Sequence, residues 1–232
     1  MTQPLPTAVN PRILAVIPAY NPGPVLTEVA RATAAVVGSD NLAIVDDGSR
    51  DGSAQDAEAA GFRVIRHPAN RGKGAALRTG YQAAVDGGYD AALSLDADGQ
   101  HDPAWISRLV LALKPDVDIV IGSRMMDPGP MPLIRVLTNR FMSRVLSSLA
   151  GSRITDTQSG FRLVRRRVLE SVTLSTDRFE TESELLIKAG RRGFRIAEVA
   201  IPAVYGSEKS KIRPLADTGR WIRMLWVSRD WR

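Results

Sequence analysis

Cysteine is absent from the 232-residue chain, which excludes a disulfide framework and any thiolate metal centre. A reducing compartment fits that absence. Nowhere do about 18 apolar residues run uninterrupted, so no membrane-spanning helix is expected. The first eleven residues are polar and carry three prolines, without the basic start and apolar run of a signal peptide. The chain is therefore expected in the cytoplasm, with residues 1–11 as a disordered arm. Several catalytic signatures are also missing. No serine lies in a nucleophile elbow and no His–Glu–x–x–His occurs. The glycine-rich Arg71-Gly72-Lys73-Gly74-Ala75-Ala76-Leu77 stretch has Leu77 where a dinucleotide site needs its third glycine, and it lacks P-loop spacing. Asp46-Asp47-Gly48 lacks the acidic spacing and terminal glutamate of a calcium loop.

What remains is an ordinary globular composition, 44% hydrophobic and 24% charged, enough for one generous domain with a full core. The net charge is +6 and the sequence pI is about 10.0. A balance this basic favours phosphates, nucleic acid or anionic lipid. No aromatic–basic platform or recognition helix supports nucleic acid. From Ser207 onward seven cations face three acids, so most of the surplus lies in the final segment.

Short Val- and Ile-rich runs at residues 12–19, 41–46, 62–66, 90–95 and 117–122 predict buried strands. Alanine-rich stretches of helical length alternate with them at 25–37, 53–60, 74–86 and 103–113. This alternation predicts an α/β fold, an open and mostly parallel sheet with helices on both faces. After Gly122 it breaks down. An irregular proline-rich loop (125–133) precedes a helix at 134–149, a strand near 160–164, a helix at 181–190 and a strand at 195–201. The segment 215–231 predicts a last helix. No repeat or linker interrupts the chain.

Ligands of such sheets bind beyond the carboxyl ends of the strands, and there the unusual residues cluster. The first strand ends in Pro18-Ala19-Tyr20-Asn21, the second in Asp46-Asp47-Gly48-Ser49-Arg50-Asp51-Gly52, and the fourth in Asp96-Ala97-Asp98-Gly99-Gln100-His101. Asp51 and Ser53 suit helix capping as well as function. A turn at Ala97 can bring Asp96 and Asp98 to one point, where they need a cation or a shifted pKa. A hard divalent ion, Mg²⁺ or Mn²⁺, fits best, because it is commonly held by one or two carboxylates and substrate phosphates. Gln100 can add an oxygen or orient a water. His101 reads as a surface or capping residue rather than a ligand.

Seven motifs in order resemble the inverting glycosyltransferases of family 2, with the GT-A fold. They are Ile17-Pro18-Ala19-Tyr20-Asn21, Val45-Asp46-Asp47-Gly48-Ser49, Asn70-Arg71-Gly72-Lys73-Gly74, Asp96-Ala97-Asp98-Gly99-Gln100, Gly122-Ser123-Arg124, Asp156-Thr157-Gln158-Ser159-Gly160-Phe161-Arg162 and Phe179-Glu180-Thr181-Glu182. Within the family the likeness is to dolichol-phosphate mannose synthases and polyprenyl-phosphate glycosyltransferases, over residues 13–213. The resemblance implies a single Rossmann-like GT-A domain at 12–213, with a donor half (12–124) and an acceptor half (125–213), followed by an amphipathic helix at 214–232. It implies that Pro18, Ala19, Tyr20, Val45 and Asp47 line the nucleoside pocket, with Asp47 accepting hydrogen bonds from the base and Tyr20 lying against it. Asp96, Ala97, Asp98 and Arg124 would reach the rest of the nucleotide sugar. Asp96, Asp98 and Gln100 would hold the metal on the diphosphate. By the same resemblance Asp98, Arg124 and Glu182 would carry the catalytic roles, and Arg140, Lys211 and Arg213 would meet the acceptor or donor phosphate. One departure is Pro22, where many relatives carry glutamate after the Tyr-Asn pair.

The implied reaction is metal-dependent, inverting transfer of a hexose from a nucleoside-diphosphate sugar, of GDP-mannose or UDP/dTDP-glucose type, to a polyprenyl phosphate. A phosphate acceptor is already an oxyanion and needs no base. A sugar hydroxyl would need one, and Glu180 and Glu182 stand where relatives carry it or simply charge a helix start. Two alternatives are a soluble family member acting on a non-lipid acceptor and a binding module that does not turn the nucleotide sugar over. Trp221, Ile222, Leu225 and Trp226 share one side of the last helix and Arg220 and Arg223 another. That face suits peripheral contact with the inner face of the membrane, or packing on the domain.

Overall fold

The computed structural model describes residues 11–129, 131–204 and 214–231. Among the described residues seven strands and eight α-helices form one α/β layer structure. The first half alternates strictly: β1 (Ile13–Ala19), α1 (Val25–Val37), β2 (Leu42–Asp46), α2 (Ser53–Ala59), β3 (Val64–Arg66), α3 (Lys73–Asp86), β4 (Ala91–Ser94), α4 (Ile106–Ala112) and β5 (Ile119–Ser123). The second half runs α5 (Leu133–Ala150), β6 (Arg162–Arg165), α6 (Arg166–Ser171), α7 (Glu180–Arg191), β7 (Ile196–Ala200) and α8 (Pro214–Val227). The sequence pattern foresees each of these except α6, whose six residues are too few to display a helical period.

The strands form one sheet in the order β3-β2-β1-β4-β6-β5-β7. All neighbours are parallel except β6, which runs against both β4 and β5. Every residue of β1, β2, β4 and β5 is buried, as expected when helices cover both faces. Successive side chains of a strand point to opposite faces, and β1 shows the consequence. Ile13, Ala15 and Ile17 join α1, α2 and α4 in one core, while Leu14 and Val16 join α3, α6 and α7 in the other. A sheet gripped on both sides holds its strand ends rigidly, and the candidate site residues of β1, β2, β4 and β5 lie at those ends.

Candidate active site

Because β1, β2, β4 and β5 share one direction, their carboxyl ends open on one edge. The reversed β6 brings its preceding segment, 156–161, to that same edge. The breakdown of the alternating pattern after Gly122 is thus what delivers Asp156 and Gly160 to the site.

The β1 and β2 ends are laced together by local hydrogen bonds. Asn21 adopts a left-handed backbone, φ 45. Its N–H donates to Ser49 Oγ at 2.9 Å, and its Oδ1 accepts from the Arg50 N–H at 2.8 Å. Asp51 accepts from Gly23 N–H and from the Ser53 amide and hydroxyl, so it braces the turn ahead of α2, whose N-cap position is Gly52. Asp47 departs from expectation. It is 2% exposed, with Oδ1 accepting from Arg71 N–H at 2.9 Å and Oδ2 from Gly72 N–H at 2.7 Å. His67 Nδ1 lies 2.7 Å from Oδ1, and its Nε2 meets Thr79 Oγ1 at 2.9 Å. Both oxygens already meet the 71–72 loop or His67, so the carboxylate clamps that loop to the end of β2. Val45 likewise is wholly buried, in the core on the α3 side. Its register partner Pro18 and the neighbouring Ala19 are buried too, while Tyr20 is 43% exposed.

At the end of β4 three charged groups meet. Lys73 Nζ, from the first residue of α3, lies 2.5 Å from Asp96 Oδ1 and 3.3 Å from Glu182 Oε1. Burial opposes ionisation of Asp96, but the Lys73 ammonium outweighs it and holds the carboxyl down at about 2. Burial likewise opposes the charge on Lys73, and Asp96 and Glu182 overcome it, raising the amine above its ordinary value. In the sequence Lys73 stood out only as part of a glycine-rich stretch that fits neither a dinucleotide site nor a P-loop, and of one family motif. Its signal was a lysine in a glycine-rich turn, which acquires meaning only once α7 delivers Glu182. Glu182 is buried in the first turn of α7, whereas Glu180 is half-buried and takes no part in this triad.

His101 corrects the surface reading. It is 4% exposed and stacked on Phe161, with ring centroids 5.3 Å apart. Its Nδ1 accepts from the Asp96 N–H at 3.2 Å, which requires a neutral ring. Burial pushes its pKa down against the pull of Asp96, in keeping with that tautomer. Asp98 is half-buried, and its Oδ1 accepts from the Gln100 N–H at 3.0 Å. Asp96, Asp98 and Gln100 offer oxygen only, the chemistry a hard divalent cation takes. Among the described residues no three His, Cys, Asp or Glu side chains cluster as a cage. A cation here would draw the rest of its shell from water and diphosphate oxygens, as Mg²⁺ habitually does.

Arg124 follows β5 and is braced from behind. Its Nε and Nη2 donate to Asp156 Oδ2 and Oδ1 at 2.9 and 3.1 Å, and its N–H donates to Oδ2 at 3.0 Å. Asn139 Nδ2 donates to the same carboxylate at 2.8 Å. Asp156 is fully buried, and Glu198 on β7 fixes its loop by accepting from the Thr155 and Asp156 amides. A two-point pair of this kind sets the guanidinium plane. Arg162, 1% exposed, donates to the carbonyls of Ser159, Glu182 and Thr157 at 2.7, 2.6 and 2.7 Å. It thereby ties the start of α7 to the 157–159 segment, a role that no spacing rule revealed.

Residues 14–173 match the profile of Glycosyl transferase family 2. The chain belongs to that family. Two relatives agree. It is 33% identical over 216 residues to the UDP-N-acetylglucosamine–dolichyl-phosphate N-acetylglucosaminyltransferase of Methanococcus voltae, covering 83% of this chain and 86% of that one. It is 32% identical to the undecaprenyl-phosphate mannosyltransferase of Micrococcus luteus, covering 83% and 84%. The fold is that of the GT-A glycosyltransferases. Glucosyl-3-phosphoglycerate synthase of Mycobacterium tuberculosis, solved with Mn²⁺ and UDP-glucose, superposes with a TM-score of 0.73 at 22% identity, over 94% of this chain and 79% of that one. The protein is a glycosyltransferase.

Beside the Arg124–Asp156 bracket the glycosyltransferase has a cavity of about 340 Å³ lined by Met125, Ser143, Thr155 and the three arginines Arg140, Arg144 and Arg153. All three arginines are exposed, and none pairs with a described acid. Arg140 was expected here, whereas Arg144 and Arg153 were not singled out in the sequence. Lys211 and Arg213 lie outside the described residues, as does nearly all of the 1–11 arm.

The last helix of the glycosyltransferase divides the face expected of it. Met224 is buried, and Trp221 and Leu225 pack with it against Leu146 and Ile187. Ile222 and Trp226 remain 57% and 71% exposed. The four residues 221, 222, 225 and 226 therefore do not form one lipid-facing side; half of them bind α8 to the domain. Among the described residues no helix is long and apolar enough to cross a membrane.

Proposed function

We propose that this glycosyltransferase moves a hexose from a nucleoside-diphosphate sugar to a polyprenyl phosphate of dolichyl type, with inversion at the anomeric carbon. The observation that carries the reading is the pocket beside Arg124 lined by three arginines, none of which pairs with an acid among the described residues. Unopposed guanidinium groups suit a phosphate bearing two charges. The names of the Methanococcus and Micrococcus relatives, both lipid-phosphate glycosyltransferases, support the same acceptor class.

In this reading the chain works as a donor half, 12–124, and an acceptor half, 125–213, followed by the helix 214–232. Asp96, Asp98 and Gln100 hold Mg²⁺ or Mn²⁺. When bound, the ion supplies a Lewis acid that disperses the charge developing on the diphosphate. Arg124, aimed by Asp156, adds a fixed positive charge at the same place, and such preorganised electrostatics is usually the largest catalytic contribution. Lys73 holds Asp96 ionised and ready for a cation, and Glu182 holds Lys73. An acceptor phosphate oxygen forms the new bond to the anomeric carbon as the bond to the diphosphate oxygen breaks. No proton moves, so no side chain has to serve as base, and Glu182 acts through charge rather than by abstraction.

The test is transfer of labelled hexose from GDP-, UDP- and dTDP-sugars to undecaprenyl phosphate, with Mg²⁺, Mn²⁺ or EDTA. The expected outcome is one preferred donor, an organic-extractable product and complete inhibition by EDTA. Transfer to a soluble phosphate such as phosphoglycerate, with none to undecaprenyl phosphate, would overturn the lipid acceptor.

A further inference from the structure

His67 directly follows β3, is buried, and takes no part in the mechanism above. Its side chain is 5% exposed, and both ring nitrogens are engaged. Nδ1 lies 2.7 Å from Asp47 Oδ1 and Nε2 lies 2.9 Å from Thr79 Oγ1. A carboxylate oxygen only accepts, so Nδ1 carries a proton and donates it. The His67 amide donates to the Asp46 carbonyl at 2.8 Å, which fixes the backbone from which the ring projects.

What His67 grips leads to Lys73. Asp47 receives the amides of Arg71 and Gly72, and Lys73, the next residue, opens α3. Thr79 lies on the second turn of the same helix. His67 therefore holds α3 twice, through Asp47 at its entry and through Thr79 in its body. Residues 67–72 belong to no strand or helix, so the Arg71 and Gly72 amides find their acceptor in a side chain rather than a ladder. The path is narrow as well. A Cβ on Gly48 would lie 2.8 Å from the Ala69 carbonyl carbon, and one on Gly72 would run into the Asp177 carbonyl. Small displacements matter at the far end, because Lys73 Nζ stands 2.5 Å from Asp96 Oδ1 and 3.3 Å from Glu182 Oε1.

We infer that His67 is a positioning residue: acting through Asp47, it sets the 71–72 loop and with it the Lys73 ammonium against Asp96. Its grip on the loop stands on geometry alone. Only the consequence for turnover rests on the reading of Asp96 and Lys73 as parts of the donor site.

Two amide variants separate positioning from packing. In His67→Asn the Nδ2 takes the place of Nδ1 and still donates to Asp47, while the tie to Thr79 is lost. In His67→Gln the Nε2 reaches toward Thr79 and nothing donates to Asp47. Glutamine fills more of the ring's space, so a role in packing alone would favour it. Amide hydrogen exchange at residues 71–73 is measured in both variants and the wild type, beside thermal unfolding and hexose transfer from nucleotide sugar to undecaprenyl phosphate. His67→Asn should keep slow exchange and a kcat within about threefold of the wild type. His67→Gln should exchange about tenfold faster at Arg71 and Gly72 and lose about tenfold in kcat, with little change in donor KM. Thr79→Val breaks the Nε2 contact alone, should behave as His67→Asn, and serves in its place if that variant does not fold. The reverse order of the two amide variants, or equal loss in both, overturns the inference. So does a kcat that ignores the exchange order while Lys73→Met loses turnover. If exchange follows the expected order but Lys73→Met transfers hexose as fast as the wild type, His67 still sets the loop and the placing of Lys73 in the donor site falls.

Discussion

Gly160 stands directly against Asp96: a Cβ built on the glycine would lie 2.7 Å from Oδ2 and 2.9 Å from Oδ1 of the carboxylate. The neighbour is the free end of a side chain, which can swing away, so Gly160→Ala should fold. What it displaces is the group that meets Lys73. The variant should keep its melting temperature to within a few degrees and lose turnover on the order of tenfold, with a higher Mn²⁺ requirement. Metal titration of activity beside thermal unfolding checks both halves. Gly74→Ala is the contrast, because its Cβ would meet the Arg178 carbonyl oxygen at 2.7 Å, and backbone cannot step aside.

Lys73→Met leaves Asp96 and Glu182 with no cation between them. Lys73 and Asp96 are half-buried, so removing the cation costs less than in a fully buried pair, about 2 kcal/mol, and the variant should melt lower. A divalent ion at Asp96 can replace part of the lost charge. Mn²⁺ should therefore raise the melting temperature of Lys73→Met more than that of the wild type. In Asp98→Ala that response to Mn²⁺ should vanish. Equal Mn²⁺ shifts in all three proteins would place the ion elsewhere.

Asp156→Ala removes the brace of Arg124 and strands Asn139 as well. The loss should be about 3 kcal/mol of stability, read as a lower urea midpoint at unchanged slope. In the fraction that remains folded, kcat should fall far more than the donor KM rises, because an unaimed guanidinium still attracts phosphate but no longer matches the transition state.

Acid should unfold the protein in a defined window. Burial alone would raise the carboxyls of Asp156 and Glu184. The Arg124 hydrogen bond for Asp156, and those of Lys188, Thr176 and Ser175 for Glu184, outweigh it and leave both below their ordinary values. The native state then binds fewer protons than the unfolded chain. The stability these groups contribute is present above about pH 4.5 and is lost as pH falls through the lower native values. Urea midpoints should be level from about pH 7 to 5 and drop steeply below about 4. A midpoint that held steady to pH 3 would contradict the assignment.

Arg144→Ala and Arg153→Ala each withdraw one guanidinium from the cavity without touching the donor side. Each should raise KM for undecaprenyl phosphate by about tenfold, the scale of one charge-assisted hydrogen bond, and leave KM for the nucleotide sugar unchanged. Steady-state kinetics with each substrate varied in turn separates the two effects.

Strands and helices of the first half were legible because each carries its own signal. Buried Val and Ile runs mark β1, β2 and β5, and the apolar spacing of residues 25–37 marks α1. The motif order was enough for the family. The short α6 has no such period, and the antiparallel placing of β6 between β4 and β5 leaves no trace in local pattern, since it is fixed by which edge of the sheet the returning chain can reach. Near the site, the closeness of Asp98 and Gln100 could be read from spacing because both lie in one turn. Asp47 could not: its partners, His67, Arg71 and Gly72, come from the far side of β3.

Sequence alone therefore determined the strand–helix alternation, the family and the run of oxygen-bearing side chains after β4, all of which depend on neighbours a few residues apart. Tertiary structure decided that Lys73 lies between Asp96 and Glu182, that Asp156 aims Arg124, and that His101 is buried and neutral. Those are contacts between distant segments. Their energies depend on burial and on distances of about 3 Å, which exist only after the sheet has closed on its helices.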